Sequence, residues 1–265
     1  MKSYIANHKQ SFGVVAKDYK KYRREYTNEL YDFLLSLIKK QKHSEATLLD
    51  IGCGVGNSTE PVARKASEKN IPLVVHGCDP DVRMLEEARK SAKKQKLPIV
   101  YTEGSAEKLP YPRKSFSIAI SGAAFHWFAT KKAMKEISRV LAPGGVYCVF
   151  WEQGKKSKNP PIGVEVYKEY GFQGIPKELR DLDTIKKLFA DAGFSRVKTK
   201  KIQYSHVDTI EQSLGLIRTN SGYAVLSEKD KKECMRKMKK AHSAALPQGT
   251  QEVHTEIFVC YGFVK

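Results

Sequence analysis

Leu48-Leu49-Asp50-Ile51-Gly52-Cys53-Gly54-Val55-Gly56 is an apolar run that ends in an acidic residue and three glycines at alternate positions. The preceding ATLLDIG reads as a buried strand, continuous in the way expected when both faces of a sheet are covered. Glycines at the carboxyl end of a first parallel strand let the backbone turn tightly and come close to a ligand, where a Cβ would intrude. The spacing is G-x-G-x-G. Dinucleotide sites use G-x-G-x-x-G, whose last glycine lets the helix pack closely while its N-terminus faces pyrophosphate. Asp50 also disfavours a phosphate nearby, so the turn points to a cationic or zwitterionic ligand and away from a nicotinamide dehydrogenase.

The flanking sequence supports a parallel sheet. A helix is expected over Ser58 to Lys69, a second buried strand at LVVHGCDP, and a helix over Asp81 to Lys94 with Met84, Leu85 and Ala88 inward. PIVYTEG, SFSIAISGA and GGVYCVFWE read as three further strands, with a helix over Lys131 to Leu141 before the last. Alternation of this kind implies right-handed crossovers and an α/β fold. Asp79 ends the second strand, where an acidic side chain accepts the hydroxyls of a ribose. Glycine turn and strand-end acid in one β-α-β unit mark a binding site that neither marks alone.

On the amino-terminal side, residues 1–26 are polar and tyrosine-rich, and Asn28 is placed to cap a helix running to about Lys40, with Leu30, Phe33, Leu34, Leu37 and Ile38 inward. After Trp151 the pattern changes. Residues 153–177 form a Gly-, Pro- and Lys-rich connection with a helix over Val164 to Tyr170. A helix at Leu182 to Ala192 stops at Gly193. RVKTKKIQYSHV is a strand, helices follow over Thr209 to Arg218 and Glu228 to Ala245, and HTEIFVCYGFV closes as a strand. The expectation is a single domain over 1–265, with a core of about 27–152, 181–204 and 252–264 and a helical cap of about 1–26, 153–177 and 205–250.

Composition sets limits. The chain has 265 residues, 41% hydrophobic and 29% charged, a globular balance at a size that buries a substantial core. No apolar run reaches the roughly 18 residues of a membrane span, and MKSYIANHKQ lacks the apolar stretch of a signal peptide. A cytoplasmic protein with no membrane partner is expected. Cys53, Cys78, Cys148, Cys234 and Cys260 are scattered and never in a C-x-x-C pair, which speaks against a disulfide framework and a zinc knuckle. The net charge of +18 invites a nucleic-acid partner. However, 36 of the 47 basic residues are lysines in short clusters along the whole chain, as on solvated helix faces.

With these motifs in place, residues 12–152 resemble the class I S-adenosylmethionine-dependent methyltransferases. LLDIGCGVGNST is similar to their first motif, GCDPDVRMLEEAR to the second, TEGSAEKLPYPRKSFSIAISGAAFHWF to their third and fourth strands, and EISRVLAPGGVYCVFW to the fifth. FGVVAKDYKKYRREY, the Phe-His-Trp-Phe run and LGLIRTNSGY resemble the trans-aconitate methyltransferase-like branch of small-molecule enzymes. The resemblance implies a Rossmann-like, doubly wound seven-stranded sheet of order 3-2-1-4-5-7-6 with the last strand antiparallel, and S-adenosyl-L-methionine as cofactor. It implies that Gly52, Gly54 and Gly56 border the methionine part, that Asp50 lies near its amino group, and that Asp79 holds the ribose. Ala106 and Glu107 would frame the adenine, and Tyr19 and Arg23 would approach the cofactor. Arg24 departs from the proline common at that position.

Methyl transfer from a sulfonium is an in-line displacement, needing alignment and exclusion of water, with no metal or covalent intermediate. No Ser-His-Asp order or His pair at metal spacing is evident. His126, after the fourth strand, reads equally as a base, an orienting group or part of the wall, and Trp127 and Phe128 as wall. Arg218 reads either as a clamp on a substrate carboxylate or as half of an ion pair. Asn159-Pro160-Pro161-Ile162 resembles the Asn-Pro-Pro-aromatic tetrapeptide of amide and base methyltransferases. It follows the fifth strand instead of the fourth and lacks the aromatic residue; Ser121-Gly122-Ala123-Ala124 occupies the proper place. The expected reaction is methylation of an oxygen, carboxylate or hydroxyl, of a small molecule, with a carboxylic acid among the acceptors considered. An RNA-modifying or RNA-binding role is the rival.

Overall fold

A computed structural model describes residues 12–39, 46–154, 161–172 and 177–265. The chain divides into two compact units. One comprises Arg24–Glu152, Pro176–Ile202 and Ile257–Lys265; the other comprises Met1–Arg23, Gln153–Ile175 and Gln203–Glu256.

The first unit carries most of the sheet. Strands β1 (Ala46–Ile51), β2 (Leu73–Asp79), β3 (Ile99–Glu103), β4 (Phe116–Gly122), β5 (Leu141–Gly154), β6 (Ser195–Thr209) and β7 (Thr250–Phe263) lie in the order β3-β2-β1-β4-β5-β7-β6, with the last strand antiparallel. The fold implied by the motifs is the fold found. Strand β1 is parallel to both neighbours, with Leu48 opposite Val75 and Ile118, and Asp50 opposite Gly77 and Ile120. All its residues but Thr47 are buried, as in a strand covered on both faces, which explains an apolar run without alternation.

Helices follow the strands. Thr59–Glu68 and Val82–Lys94 come after β1 and β2, and Lys131–Val140 after β4. The last of these buries Ala133, Met134, Ile137 and Val140, one stripe at helical spacing. Its first turn is held by Thr130, whose Oγ1 accepts a bond from Ala133 N at 3.1 Å. Across the sheet, Tyr147 stacks on Phe189 at 5.2 Å, beside Phe125 and Phe194.

Among the departures from expectation, three concern elements of the sheet unit. In the helix Asn28–Lys39, Tyr31 and Leu35 are buried and Phe33 only partly, since Phe33 turns its ring edge to Tyr261 at the margin of the sheet. The carbonyl of Thr27, not Asn28, accepts the first helical bonds. Strand β5 begins at Leu141 instead of Gly144, because Leu141 already pairs with Phe116 before a register shift.

The second unit contains helices Ala16–Tyr22, Val164–Glu169, Ile210–Arg218, Ser221–Ala224 and Glu228–Ala245. The helix over Ala16–Tyr22 was not expected, being too short and charged to show a period; it forms because Val15, Ala16 and Tyr22 are buried together. Tyr22 lies flat against Gly215, where an added Cβ would stand 2.1 Å from its ring. Ile217, Tyr223, Cys234 and Met238 form the small core of this unit, with Tyr167 and Phe172 against it. All five cysteines are buried free thiols. Asn159 and Pro160 of the Asn-Pro-Pro segment lie outside the described residues. Among the described residues no helix is long and apolar enough to cross a membrane.

Candidate active site

Asp50 is fully buried at the carboxyl end of β1. Its Oδ2 accepts hydrogen bonds from Ser58 Oγ at 2.6 Å and Thr59 Oγ1 at 2.7 Å, while Oδ1, equally buried, has no partner. Burial pushes this carboxyl up to about 6, against the pull of the two hydroxyls; the nearby charge of Asp79 adds to the rise. A buried acceptor left open in this way is costly unless something donates to it.

The backbone then turns through Gly52, Gly54 and Gly56, all left-handed at φ +72°, +53° and +84°. Cys78 O accepts from Gly52 N at 2.8 Å and from Cys53 N at 3.2 Å, tying the turn to β2. A Cβ on Gly52 would stand 2.6 Å from Ala124 Cβ, and one on Gly56 would stand 2.5 Å from Tyr101 Oη. The turn is therefore closed to side chains by conformation at all three glycines and by space at Gly52 and Gly56.

Asp79 is nearly buried at the end of β2. Its two oxygens accept backbone bonds from Gly54 N and Asp81 N, each at 2.9 Å. Burial raises this carboxyl also to about 6, with the two amides opposing. Asp79 thus holds the glycine turn in place while each oxygen keeps a second lone pair. Ala106 is buried and Glu107 half-buried in the loop after β3, whose Gly104 N donates to Asp79 O at 3.1 Å.

At the end of β4, Ser121 is buried with its hydroxyl 3.0 Å from that of Tyr147. Ala123 is left-handed at φ +49°, an uncommon state for a residue with a Cβ, and its N–H donates to Phe150 O at 2.8 Å. His126 follows on a single helical turn, largely buried, its ring 4.8 Å from that of Trp127. Phe128 is buried, with its Cε1 within 3.3 Å of where a Gly52 side chain would begin.

One unit therefore gathers Asp50, the three glycines, Asp79, Ala106, Glu107 and His126. Tyr19, Arg23 and Arg218 belong to the other. There, Arg23 Nε donates to Thr219 Oγ1 at 2.8 Å and its guanidinium sits 5.2 Å from the Tyr19 ring centre. Arg218 is half-buried at the end of its helix, beside Tyr223, with no ion pair among the described residues.

Sequence reasoning missed the hydroxyls of Ser58 and Thr59 and also Glu60, which is buried and accepts from Ser91 Oγ at 2.9 Å and Gln95 Nε2 at 2.6 Å. The signal was present as polar residues directly after the glycine turn. Among the described residues no group of His, Cys, Asp and Glu is placed to hold a metal ion.

The family model described as a methyltransferase domain matches residues 49–149, the stretch that builds this site. An uncharacterised methyltransferase of Schizosaccharomyces pombe is 25% identical over 77% of this chain and 88% of its own. The protein is an S-adenosylmethionine-dependent methyltransferase.

Two solved structures share the methyltransferase's fold. The YcgJ protein of Bacillus subtilis superposes with a TM-score of 0.53 at 19% identity, covering 89% of this chain and 99% of that one. A Haemonchus contortus phosphoethanolamine N-methyltransferase, solved with phosphomonomethylethanolamine and S-adenosylhomocysteine, superposes with a TM-score of 0.53 at 17% identity, covering 94% of this chain and 57% of that one. The methyltransferase's own residues fit the cofactor. The open, buried Oδ1 of Asp50 suits an ammonium donor, and the left-handed glycine turn beside it leaves the backbone bare of side chains.

Proposed function

We propose that the enzyme methylates an oxygen, carboxylate or hydroxyl, of a small molecule of the kind handled by the trans-aconitate methyltransferase-like branch. The observation that carries this reading is Arg218, a half-buried guanidinium with no ion pair among the described residues. A buried cation ordinarily has a partner, and a planar guanidinium suits a carboxylate through two parallel bonds. The end of β4 supports the same reading. Where amide and base methyltransferases carry an Asn-Pro-Pro-aromatic motif, this chain has Ser-Gly-Ala-Ala, and the serine hydroxyl lies against Tyr147. The acceptor in the phosphoethanolamine enzyme is an amine, so the likeness in fold leaves the acceptor atom to these local features.

When bound, the cofactor supplies a methyl group on a positively charged sulfur. The chain's own residues bind and orient. Asp50 Oδ1 accepts from the amino group, Asp79 accepts from the ribose hydroxyls with the lone pairs its backbone partners leave, and Ala106 and Glu107 frame the adenine. Tyr19 and Arg23 carry the resemblance-based assignment to the cofactor. His126 orients the acceptor or takes its proton, and Trp127 and Phe128 keep water out.

The test is transfer of label from S-adenosylmethionine to panels of carboxylic acids, phenols, amines and transfer RNA. Label in an acid or phenol, with KM raised in Arg218→Ala and partly restored in Arg218→Lys, is the expected result. Label confined to amines or RNA, or wild-type kcat/KM in both Arg218 variants, overturns it. Calorimetry with S-adenosylhomocysteine checks the cofactor residues: Gly54→Val should weaken binding at least tenfold, since a branched side chain is strained at φ +53° and must distort the turn.

A further inference from the structure

Far from the glycine turn, at the amino-terminal ends of β4 and β5, a cavity of 410 Å³ is lined by Arg113, Lys114, Lys135, Arg139 and Lys265, with Glu136 as the acidic member. Strand β4 is seven residues long, which sets this edge about 20 Å from the cofactor edge. Glu136 is fully engaged. Arg139 donates to its two oxygens at 2.9 and 2.8 Å, and Leu109 N donates at 3.2 Å. Arg139 is itself fixed by the carbonyls of Tyr111 and Leu109 at 2.9 and 3.1 Å.

That pair cancels internally. Arg113, Lys114 and Lys135 then face one cavity with no side-chain ion pair among the described residues. Like charges gathered around one concave space repel one another, and an anion between them removes the repulsion. Lys114 is moreover left-handed at φ +60°, with its N–H fixed to Arg139 O at 3.0 Å. A lysine that could have been a glycine is thus held in a strained turn at the rim. Ser138 adds a hydroxyl, and Leu141, Pro143 and Val264 give the cavity an apolar wall.

We propose that this cavity is a second binding site, for a small molecule carrying a multiply charged phosphate. Its volume falls in the range of small-ligand pockets, about 300–1,000 Å³. Its lining contains no aromatic side chain on which bases would stack, which favours a small ligand over single-stranded nucleic acid.

The test is calorimetry on the full chain, saturated with S-adenosylhomocysteine so that the cofactor site is filled, titrated with inorganic pyrophosphate and with ADP. One saturable site is expected. Affinity should fall at least tenfold in Lys114→Ala/Lys135→Ala and in Arg113→Ala, and stay unchanged in Lys93→Ala/Lys94→Ala on a distant helix. Tighter ADP binding assigns a phosphate ester; equal binding assigns the free phosphate group. These side chains are exposed, so melting temperatures should hold; if the double variant melts early, Arg113→Ala decides. Absence of saturable binding, an equal loss in the distant control, or saturable binding by a single-stranded RNA alone overturns the proposal.

Discussion

Asp50 combines two demands that pull in opposite directions. Raised from 3.8 to about 6 by burial, its ionised form costs the fold about 3 kcal/mol at neutral pH. The same open oxygen suits a cationic ligand. Asp50→Asn should therefore weaken S-adenosylhomocysteine binding by about 1.5–3 kcal/mol while leaving the melting temperature at pH 7.5 unchanged or higher. A lower melting temperature with intact binding would show that the carboxylate serves the fold. Asp50 and Asp79 also set the pH response. Both titrate higher folded than unfolded, so their contribution to stability is fully present below about pH 4 and is lost as pH rises through about 6. Cofactor affinity should run the other way, tightening as pH rises through the same window, with protons released on binding. Calorimetry in buffers of different ionisation heat reads both, and a pH-independent dissociation constant between pH 5 and 7.5 would sink the assignment.

Two helices of the second unit meet with no room to spare. Tyr22 on the helix Ala16–Tyr22 covers Gly215 on the helix Ile210–Arg218, and Gln212 Nε2 donates to Tyr22 O at 2.7 Å. A methyl at Gly215 must push a buried ring aside, so Gly215→Ala should cost about 1–3 kcal/mol. The loss should appear locally, as faster proteolysis and lower hydrogen-exchange protection around residues 16–22, because the sheet unit has its own core. Unchanged protection there would mean that Tyr22 has another place to go. This short helix was illegible in the sequence because seven residues span two turns. Its helical state comes from what Tyr22 packs on, and propensity alone did not signal it.

For the whole molecule, cofactor binding is linked to stability. S-adenosylhomocysteine at about 100 times its dissociation constant should add about 2.7 kcal/mol, a rise of roughly 5–10 °C for a chain of this size. Hydrogen exchange should show where that energy goes: the segments around Asp50 to Glu60, Asp79 to Met84 and Gly104 to Leu109 slow first. The assignment of Tyr19 and Arg23 to the cofactor predicts that residues 16–23 slow as well. If only the sheet unit responds, that assignment fails while the glycine site stands.

The sequence by itself determined the α/β alternation, the glycine turn and the acidic strand ends. These depend on local rules: continuous apolar runs for strands covered on both faces, a 3.6-residue period for helices, and glycine where φ is positive. The helix end at Gly193 was legible for the same reason, since a cap needs only neighbours in the chain. Only the tertiary structure decided what the acidic residues do. Ser58 and Thr59 turn back onto one oxygen of Asp50 and leave the other open, and Asp79 reaches across 25 positions to hold Gly54. Tertiary packing alone also gathered Arg113, Lys114 and Lys135, scattered members of a charge of +18, around one cavity. Such convergence is set by strand order and register, which bring together residues whose separation along the chain carries no period to read.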